Sequence, residues 1–143
     1  MRILGLDIGT KRIGVAVSDE LLITAQGVDV IERKSWEQDI ARVFSHVESY
    51  GAAEIVVGLP LNMNGSMGDS TKMVVEFIEH LSKSAKKDIP IHTWDERLST
   101  VQAQRVLIDA DVSRRKRRSV ADKLAAQLIL QGYLDCESIK RKR

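Results

Sequence analysis

The sequence has one cysteine, few aromatic residues and no long apolar run, and each shortage excludes a class of protein. Cys136 alone excludes an internal disulfide, lacks the companions of a zinc site, and is typical of a reducing cytoplasm. Aromatic residues make up 4% of the chain, too few to indicate a platform for single-stranded bases. No stretch approaches the roughly 20 apolar residues of a membrane span, and no secretory signal pattern is found, so we expect a cytoplasmic protein without a membrane partner.

The composition is otherwise that of a globular domain, with charge distributed unevenly. Hydrophobic residues at 43% and charged residues at 29% predict one domain over residues 1–143, with a flexible basic tail from about residue 136. Residues 1–110 carry a net charge of −4 and residues 111–143 one of +6. The basic residues there form an internal cluster of Arg114, Arg115, Lys116, Arg117 and Arg118, and a tail of Lys140, Arg141, Lys142 and Arg143. The cluster favours a nucleic-acid surface over a solvated loop, whereas the tail is equally compatible with a solubilising extension.

Hydrophobic periodicity predicts an α/β protein. Strands over 2–8, over 12–18 and within 22–32, joined by short turns, indicate an antiparallel meander, and a capping box at Ser35 and Gln38 begins a helix with a stripe of apolar residues. The remaining predicted elements are a strand over 54–58, a helix capped by Asp69 or Ser70, a strand over 89–94, a helix from Ser99 and Gln102 to about Asp109, and, after the basic loop, a helix capped by Ser119. Two strands reached through helical crossovers extend the meander into a five-stranded mixed sheet flanked by helices.

A carboxylate interrupts the apolar first strand. Asp7 lies in the run of residues 3–8, where an ionised side chain is costly unless it is paired, hydrogen bonded or bound to a metal. The next residues make a tight turn that includes Thr10, and Lys11 and Arg12 add positive charge, which indicates a metal or phosphate site at a strand end. The alternative is that Asp7 and Thr10 only form the turn of a hairpin.

Two further acidic positions are candidates to join Asp7. The last strand ends in Asp95, Glu96 and Arg97. Asp122 lies in the first turn of the last predicted helix. An acidic residue there is also explained by a favourable interaction with the helix dipole alone. If the first and last strands run parallel and close together, these carboxylates converge at one edge of the sheet. Three of them suit two Mg²⁺ or Mn²⁺ ions ~4 Å apart that promote attack of water on phosphorus. The expected phosphate contacts are Thr10, Lys11, Arg12 and Arg97.

Four blocks resemble the signature blocks of the YqgF/RuvX family. They are LGLDIGTKRIGVAVSD, IVVGLPLNMNGSMG, TWDERLST and VADKLAAQLILQGYL, and they cover essentially the whole chain. Members have an RNase H-like fold and are described as Holliday junction resolvases and as nucleases that mature precursor 16S ribosomal RNA. The resemblance implies a metal-dependent nuclease with Asp7, Glu96 and Asp122 as its acidic triad, Asp95 being the alternative to Glu96. It departs at the end of the strand EIVVG, where related resolvases have an acid and this sequence reads Gly58-Leu59-Pro60, so here the second carboxylate must come from the neighbouring strand.

The expected function is therefore metal-dependent endonucleolytic cleavage of structured nucleic acid. Processing of the 5′ end of precursor 16S ribosomal RNA is the first expectation and cleavage of four-way DNA junctions the second. Partners would be a second copy of the chain, because symmetrical junction cleavage needs two-fold related sites, or ribosome-associated factors. Two alternatives are a non-catalytic transcription or ribosome-assembly factor that binds through Arg114–Arg118, and an ATP-dependent phosphotransferase, which one domain alone does not favour.

Overall fold

The computed structural model describes residues 1–85, 88–98 and 114–141. Its strands are β1 (Arg2–Ile8), β2 (Arg12–Ser18), β3 (Ala25–Glu32), β4 (Ala52–Leu59) and β5 (Ile91–Asp95). Its helices are α1 (Trp36–Tyr50), α2 (Asp69–Ser84) and α3 (Arg114–Arg141), and a short 3₁₀ helix spans Glu96–Leu98. None of the helices so described is long and apolar enough to cross a membrane.

The five strands form one mixed sheet in the order β3-β2-β1-β4-β5. β1 and β2 pair antiparallel, as do β2 and β3, whereas β4 is parallel to both β1 and β5. The predicted antiparallel meander followed by parallel crossovers is confirmed. β1 and β5 run parallel, as the convergence of carboxylates requires, but β4 lies between them.

Alternation along β1 divides the core into two layers. Leu4 and Leu6 face α1 and α2 and join a cluster that includes Phe77, all fully buried. Ile3 faces the other way and packs in the layer that contains Ala126 and Leu130 of α3. Because side chains of a strand alternate between faces, Asp7 shares the α3 side with Ile3.

The first helix begins where its sequence predicts. Ser35 is the N-cap, and its hydroxyl accepts a hydrogen bond from the backbone N–H of Gln38 at 3.2 Å. Gly51 ends the helix in the left-handed conformation with φ of 62°, which glycine adopts with little strain. The apolar stripe faces the sheet, with Ile40, Val43 and Val47 buried and Phe44 partly buried.

The last helix is longer than predicted at both ends. The sequence predicts a basic loop, a cap at Ser119 and a flexible tail from about residue 136, whereas α3 runs from Arg114 to Arg141. Arginine and lysine have helix propensities close to that of leucine, so the basic run continues the helix and Ser119 lies in its interior. The charge cluster is thus the first turns of a helix instead of a loop.

Smaller differences concern element ends. The N-cap of α2 is Gly68, without a side-chain hydrogen bond, instead of Asp69 or Ser70. Asp69 lies in the first turn, where a negative charge is favoured by the helix dipole. β4 is longer than the predicted 54–58, and β5 begins at Ile91 instead of residue 89. The predicted helix from Ser99 to about Asp109 lies outside the described residues.

Candidate active site

Asp7 lies near the carboxyl end of β1 with a glycine beside it on each neighbouring strand. It pairs with Gly14 of β2. On the other side the parallel register, in which Leu6 is opposite Val57, continues to Gly58 of β4. Residues paired across adjacent strands share a face, so this row of three faces α3. The positions next to Asp7 on both neighbouring strands are therefore glycines.

Gly14 brings α3 close to the sheet at Asp122. A Cβ atom at position 14 would lie 2.2 Å from the carbonyl oxygen of Asp122, so no side chain fits there. Nε of Arg12 donates to Oδ2 of Asp122 at 2.8 Å, and both side chains are about a quarter exposed. Asp122 thus lies on the face that carries Asp7, one strand away, as an ion-pair partner of Arg12.

Glu96 approaches Asp7 from the opposite side. Its carboxyl carbon is 3.3 Å from the position of a Cβ atom at Gly58, and so it lies over β4 on the α3 side. Trp94 pairs with Gly58 and packs against Gly132 of α3, which fixes the face of that residue. By alternation, Asp95 belongs to the other face. Of the two acids, Glu96 carries its carboxyl group over the strand next to Asp7.

Asp95 is held in a dense ion pair with Arg97. The guanidinium donates to both carboxylate oxygens at 2.6–3.0 Å, and the backbone N–H of Arg97 donates to Oδ1 at 3.0 Å. The hydrogen bonds from Arg97 hold the pKa of Asp95 below its ordinary value, and Asp95 in turn raises the pKa of Arg97. Nη1 of Arg97 also donates to the carbonyl of Met63 at 3.3 Å. Arg97, which the sequence predicts as a phosphate contact, therefore binds the carboxylate of Asp95 and the loop that contains Met63.

The turn after Asp7 presents two predicted phosphate contacts to solvent. Thr10 and Lys11 are exposed at its tip. The backbone N–H of Gly9 donates to the carbonyl of Arg12 at 2.8 Å, which closes the turn. The tip lies at the same end of the sheet as Asp7, next to the pair of Arg12 and Asp122.

Arg33 supports this turn, and sequence reasoning missed it. Its Nη1 donates to the carbonyl of Gly9 at 3.0 Å, and its Nε donates to Oδ2 of Asp39 at 3.1 Å. The guanidinium lies 5.2 Å from the ring centroid of Trp36, and Asp39 is only 2% exposed. In the sequence both charges resemble surface residues around a helix start, so no local signal marks a buried pair.

The three predicted acids share one face and one end of the sheet but do not form a closed cluster. Within the ranges that the structure describes, no group of three or more histidine, cysteine, aspartate or glutamate side chains is arranged to hold a metal ion. Two features explain this: β4 separates β1 from β5, and Arg12 engages Asp122. The donors still fit a hard cation, because Mg²⁺ binds through one or two carboxylates and fills its shell with water and phosphate oxygens.

The fold is that of RuvC-like resolvases. RuvC of Thermus thermophilus, solved in complex with a Holliday junction substrate, is 15% identical with a TM-score of 0.61, and the alignment covers 96% of each chain. The fowlpox virus resolvase, solved with Holliday junction DNA, is 14% identical with a TM-score of 0.52, over 95% of this chain and 98% of that one. These likenesses define an RNase H-like nuclease fold.

Sequence comparison then gives the family. Residues 1–136 match the family model described as "RuvX: Holliday junction resolvase". A relative from Halothermothrix orenii is 54% identical over 138 residues, which are 96% of this chain and 97% of the relative. One from Desulforamulus reducens is 55% identical over 135 residues, 94% and 97% of the two chains. Both carry the name "Putative pre-16S rRNA nuclease". The chain belongs to the RuvX family.

Proposed function

We propose that this chain is a cytoplasmic, metal-dependent endonuclease that processes the 5′ end of precursor 16S ribosomal RNA, with residues 1–143 as a single nuclease domain. The observation that carries the proposal is the row of Gly14, Asp7 and Gly58 with the carboxyl group of Glu96 over Gly58. It places the carboxylates of Asp7 and Glu96 on one face of the sheet, at the carboxyl ends of β1 and β5. The names of the relatives at 54% and 55% identity supply the substrate.

Each of the three acids is supplied by a different element of the fold. Asp7 is fixed by the ladder of β1, Glu96 extends from the end of β5, and Asp122 approaches from α3. Together they would hold one or two Mg²⁺ or Mn²⁺ ions, which when bound activate water and stabilise the leaving oxygen of a phosphodiester. Arg12 orients the carboxylate of Asp122 through its hydrogen bond. Thr10 and Lys11, exposed beside Asp7, would contact the flanking phosphates.

The start of α3 supplies a further reason to expect that the protein binds a polyanion. The backbone of Arg114–Arg118 forms its first turns, about one to two turns before Asp122. Positive charges at a helix N-terminus oppose the helix dipole. Phosphate groups would relieve that repulsion, so this helix end is suited to carry the nucleic acid to the site.

Neutralising this helix end is expected to flatten the salt dependence of binding. A variant with glutamine at Arg114, Arg115, Arg117 and Arg118 should bind every sequence more weakly. The slope of log K against log salt should fall by up to about 0.9 for each phosphate that the variant no longer neutralises. A matched variant with glutamine at Lys72 and Lys83, exposed on α2 at the other face, should keep the wild-type slope. Equal slopes in the two variants would contradict a phosphate role for the helix end.

The proposed function is tested by offering two substrates side by side. A precursor 16S RNA fragment and a synthetic four-way DNA junction are each incubated with wild-type protein and Mg²⁺ or Mn²⁺. We expect site-specific cleavage of the RNA. Cleavage of the junction alone would replace this proposal with junction resolution, to which the family description refers, and would call for a two-fold dimer. Tight binding without cleavage of either substrate would favour a non-catalytic binder or a need for ribosome-associated factors.

A further inference from the structure

We propose that Asp95 and Arg97 form a clasp that positions Glu96 and the loop over residues 61–68, and that neither side chain touches metal or phosphate. The proposal rests on the proposed function, because it assigns Glu96 to the nuclease site. It also gives Asp95 and Arg97, the charged residues on either side of Glu96, one shared structural role.

The clasp closes around the backbone of Glu96. Oδ1 of Asp95 accepts the backbone N–H of Arg97, two residues further on, and so makes a tight side-chain turn with Glu96 at its centre. Nε and Nη2 of the guanidinium then bind the same carboxylate at 2.6–3.0 Å. The residues before and after Glu96 are thereby fixed to each other, and this sets the direction in which its side chain leaves the chain.

That direction brings the carboxyl group over Gly58. A Cβ atom at position 58 would lie 2.4 Å from Cδ1 of Ile129 and 3.3 Å from the carboxyl carbon of Glu96, so a larger residue there would collide with Ile129 and crowd Glu96. A glutamate side chain has considerable rotamer freedom. A fixed backbone at Glu96 narrows the region that its carboxylate can reach.

The same guanidinium fastens the loop between β4 and α2. Nη1 of Arg97 donates to the carbonyl of Met63 and lies 3.4 Å from the Cβ position of Gly65, whose φ is +85°. The loop is closed internally by hydrogen bonds from the N–H of Gly65 to the carbonyl of Asn62 and from the N–H of Asn62 to the carbonyl of Ser66. Arg97 therefore joins the end of β5 to a preformed loop.

The hydrogen bonding of Asp95 separates this pair from an ordinary surface ion pair. Exposed ion pairs contribute little on average, but Asp95 accepts charged donors at both oxygens together with a backbone N–H, the stronger kind of arrangement. Arg97 is 34% exposed and Asp95 23%. Because the two charges are paired with each other, the clasp adds no net charge next to Glu96.

A double-mutant cycle tests the clasp. Asp95→Ala, Arg97→Ala and the double variant are compared in single-turnover cleavage, with the Kd for substrate measured separately. Each single change should lower the cleavage rate about 10- to 100-fold, as loss of a group that orients a metal ligand does, with Kd within about twofold of wild type. The double variant should lose no more than either single variant, because both changes break the same clasp. Arg2→Gln with Glu20→Gln, an acid–arginine pair at the opposite end of β1, should leave rate and Kd unchanged.

Hydrogen exchange gives a readout that does not need cleavage. The amides of Asn62 and Gly65 should exchange faster in both single variants and equally fast in the double variant. Additive losses of rate, or a raised Kd for Arg97→Ala alone, would overturn the clasp in favour of separate metal and phosphate roles. If wild-type protein cleaves neither substrate, the proposed function fails, whereas the exchange cycle still decides whether the clasp exists.

Discussion

Asp7→Asn is expected to abolish cleavage while leaving the protein folded and able to bind nucleic acid. Asp7 lies on β1 between Gly14 of β2, over which Asp122 lies, and Gly58 of β4, over which Glu96 lies, so its loss removes the central carboxylate of the proposed site. Asparagine has the same shape but is a much weaker ligand for a hard cation. Electrostatic groups aimed at reacting atoms contribute about 100- to 1,000-fold each, and we expect a loss at or above the upper figure.

The variant should remain folded, with a melting temperature close to that of the wild type, because asparagine has the shape of aspartate and leaves the pairing of β1 with β2 intact. The melting temperature and the Kd for substrate are measured beside the cleavage rate. Asp88→Asn, the same change at an exposed residue before β5, is the control and should retain full activity. Undiminished cleavage by Asp7→Asn would eliminate the proposed metal site.

Local signals are sufficient to predict the strand that carries the site. An apolar run predicts β1, with Asp7 near its end, and alternating apolar residues predict β2, both with the observed bounds. The cap at Ser35 is equally local, since a serine followed three residues later by Gln38 is sufficient to predict it. Such features depend on neighbours in the chain, and a sequence displays those directly.

Contacts between residues that are distant in the sequence cannot be predicted from such local signals. Nothing in the sequence places β4 between β1 and β5, and this spacing decides that Glu96 must extend across a strand to approach Asp7. The pair of Arg33 and Asp39 escapes prediction for the same reason, because burial of two charges depends on elements that pack around them. The predicted start of α3 is wrong because a run of basic residues has the composition of a loop and the propensity of a helix.

Gly58 shows how resemblance and geometry complement each other. The resemblance marks it as the place where related resolvases have an acid, which leaves the source of the second carboxylate open between Asp95 and Glu96. The structure places the carboxyl carbon of Glu96 beside the position that a side chain at 58 would occupy. The side chain of Ile129 and the carboxyl group of Glu96 together occupy the space over Gly58, and of the two acids it is Glu96 that reaches this position from β5.

Gly14→Ala is expected to cause a large loss of stability and of activity together. The added Cβ atom would lie 2.2 Å from the carbonyl oxygen of Asp122 and 2.9 Å from its carbonyl carbon. Both atoms belong to the backbone of a helix, so they cannot move aside as a flexible side chain can. Either α3 shifts away from β2 or the strand distorts, and overpacking of this kind costs about 3 kcal/mol or more. For a domain of this size that corresponds to a fall of roughly 10 °C in melting temperature.

The activity loss should exceed what unfolding explains, because the displaced turn of α3 carries Asp122. Cleavage is therefore measured well below the melting temperature, where Gly14→Ala remains folded. Gly51→Ala is the matched control: its φ of +62° makes alanine cost about 1 kcal/mol, but its Cβ atom would meet nothing within 4 Å. This control should lose a little stability and no activity. If the two variants melted at the same temperature and cleaved equally well, α3 would not rest on Gly14, and Asp122 would not be placed beside Asp7 by that contact.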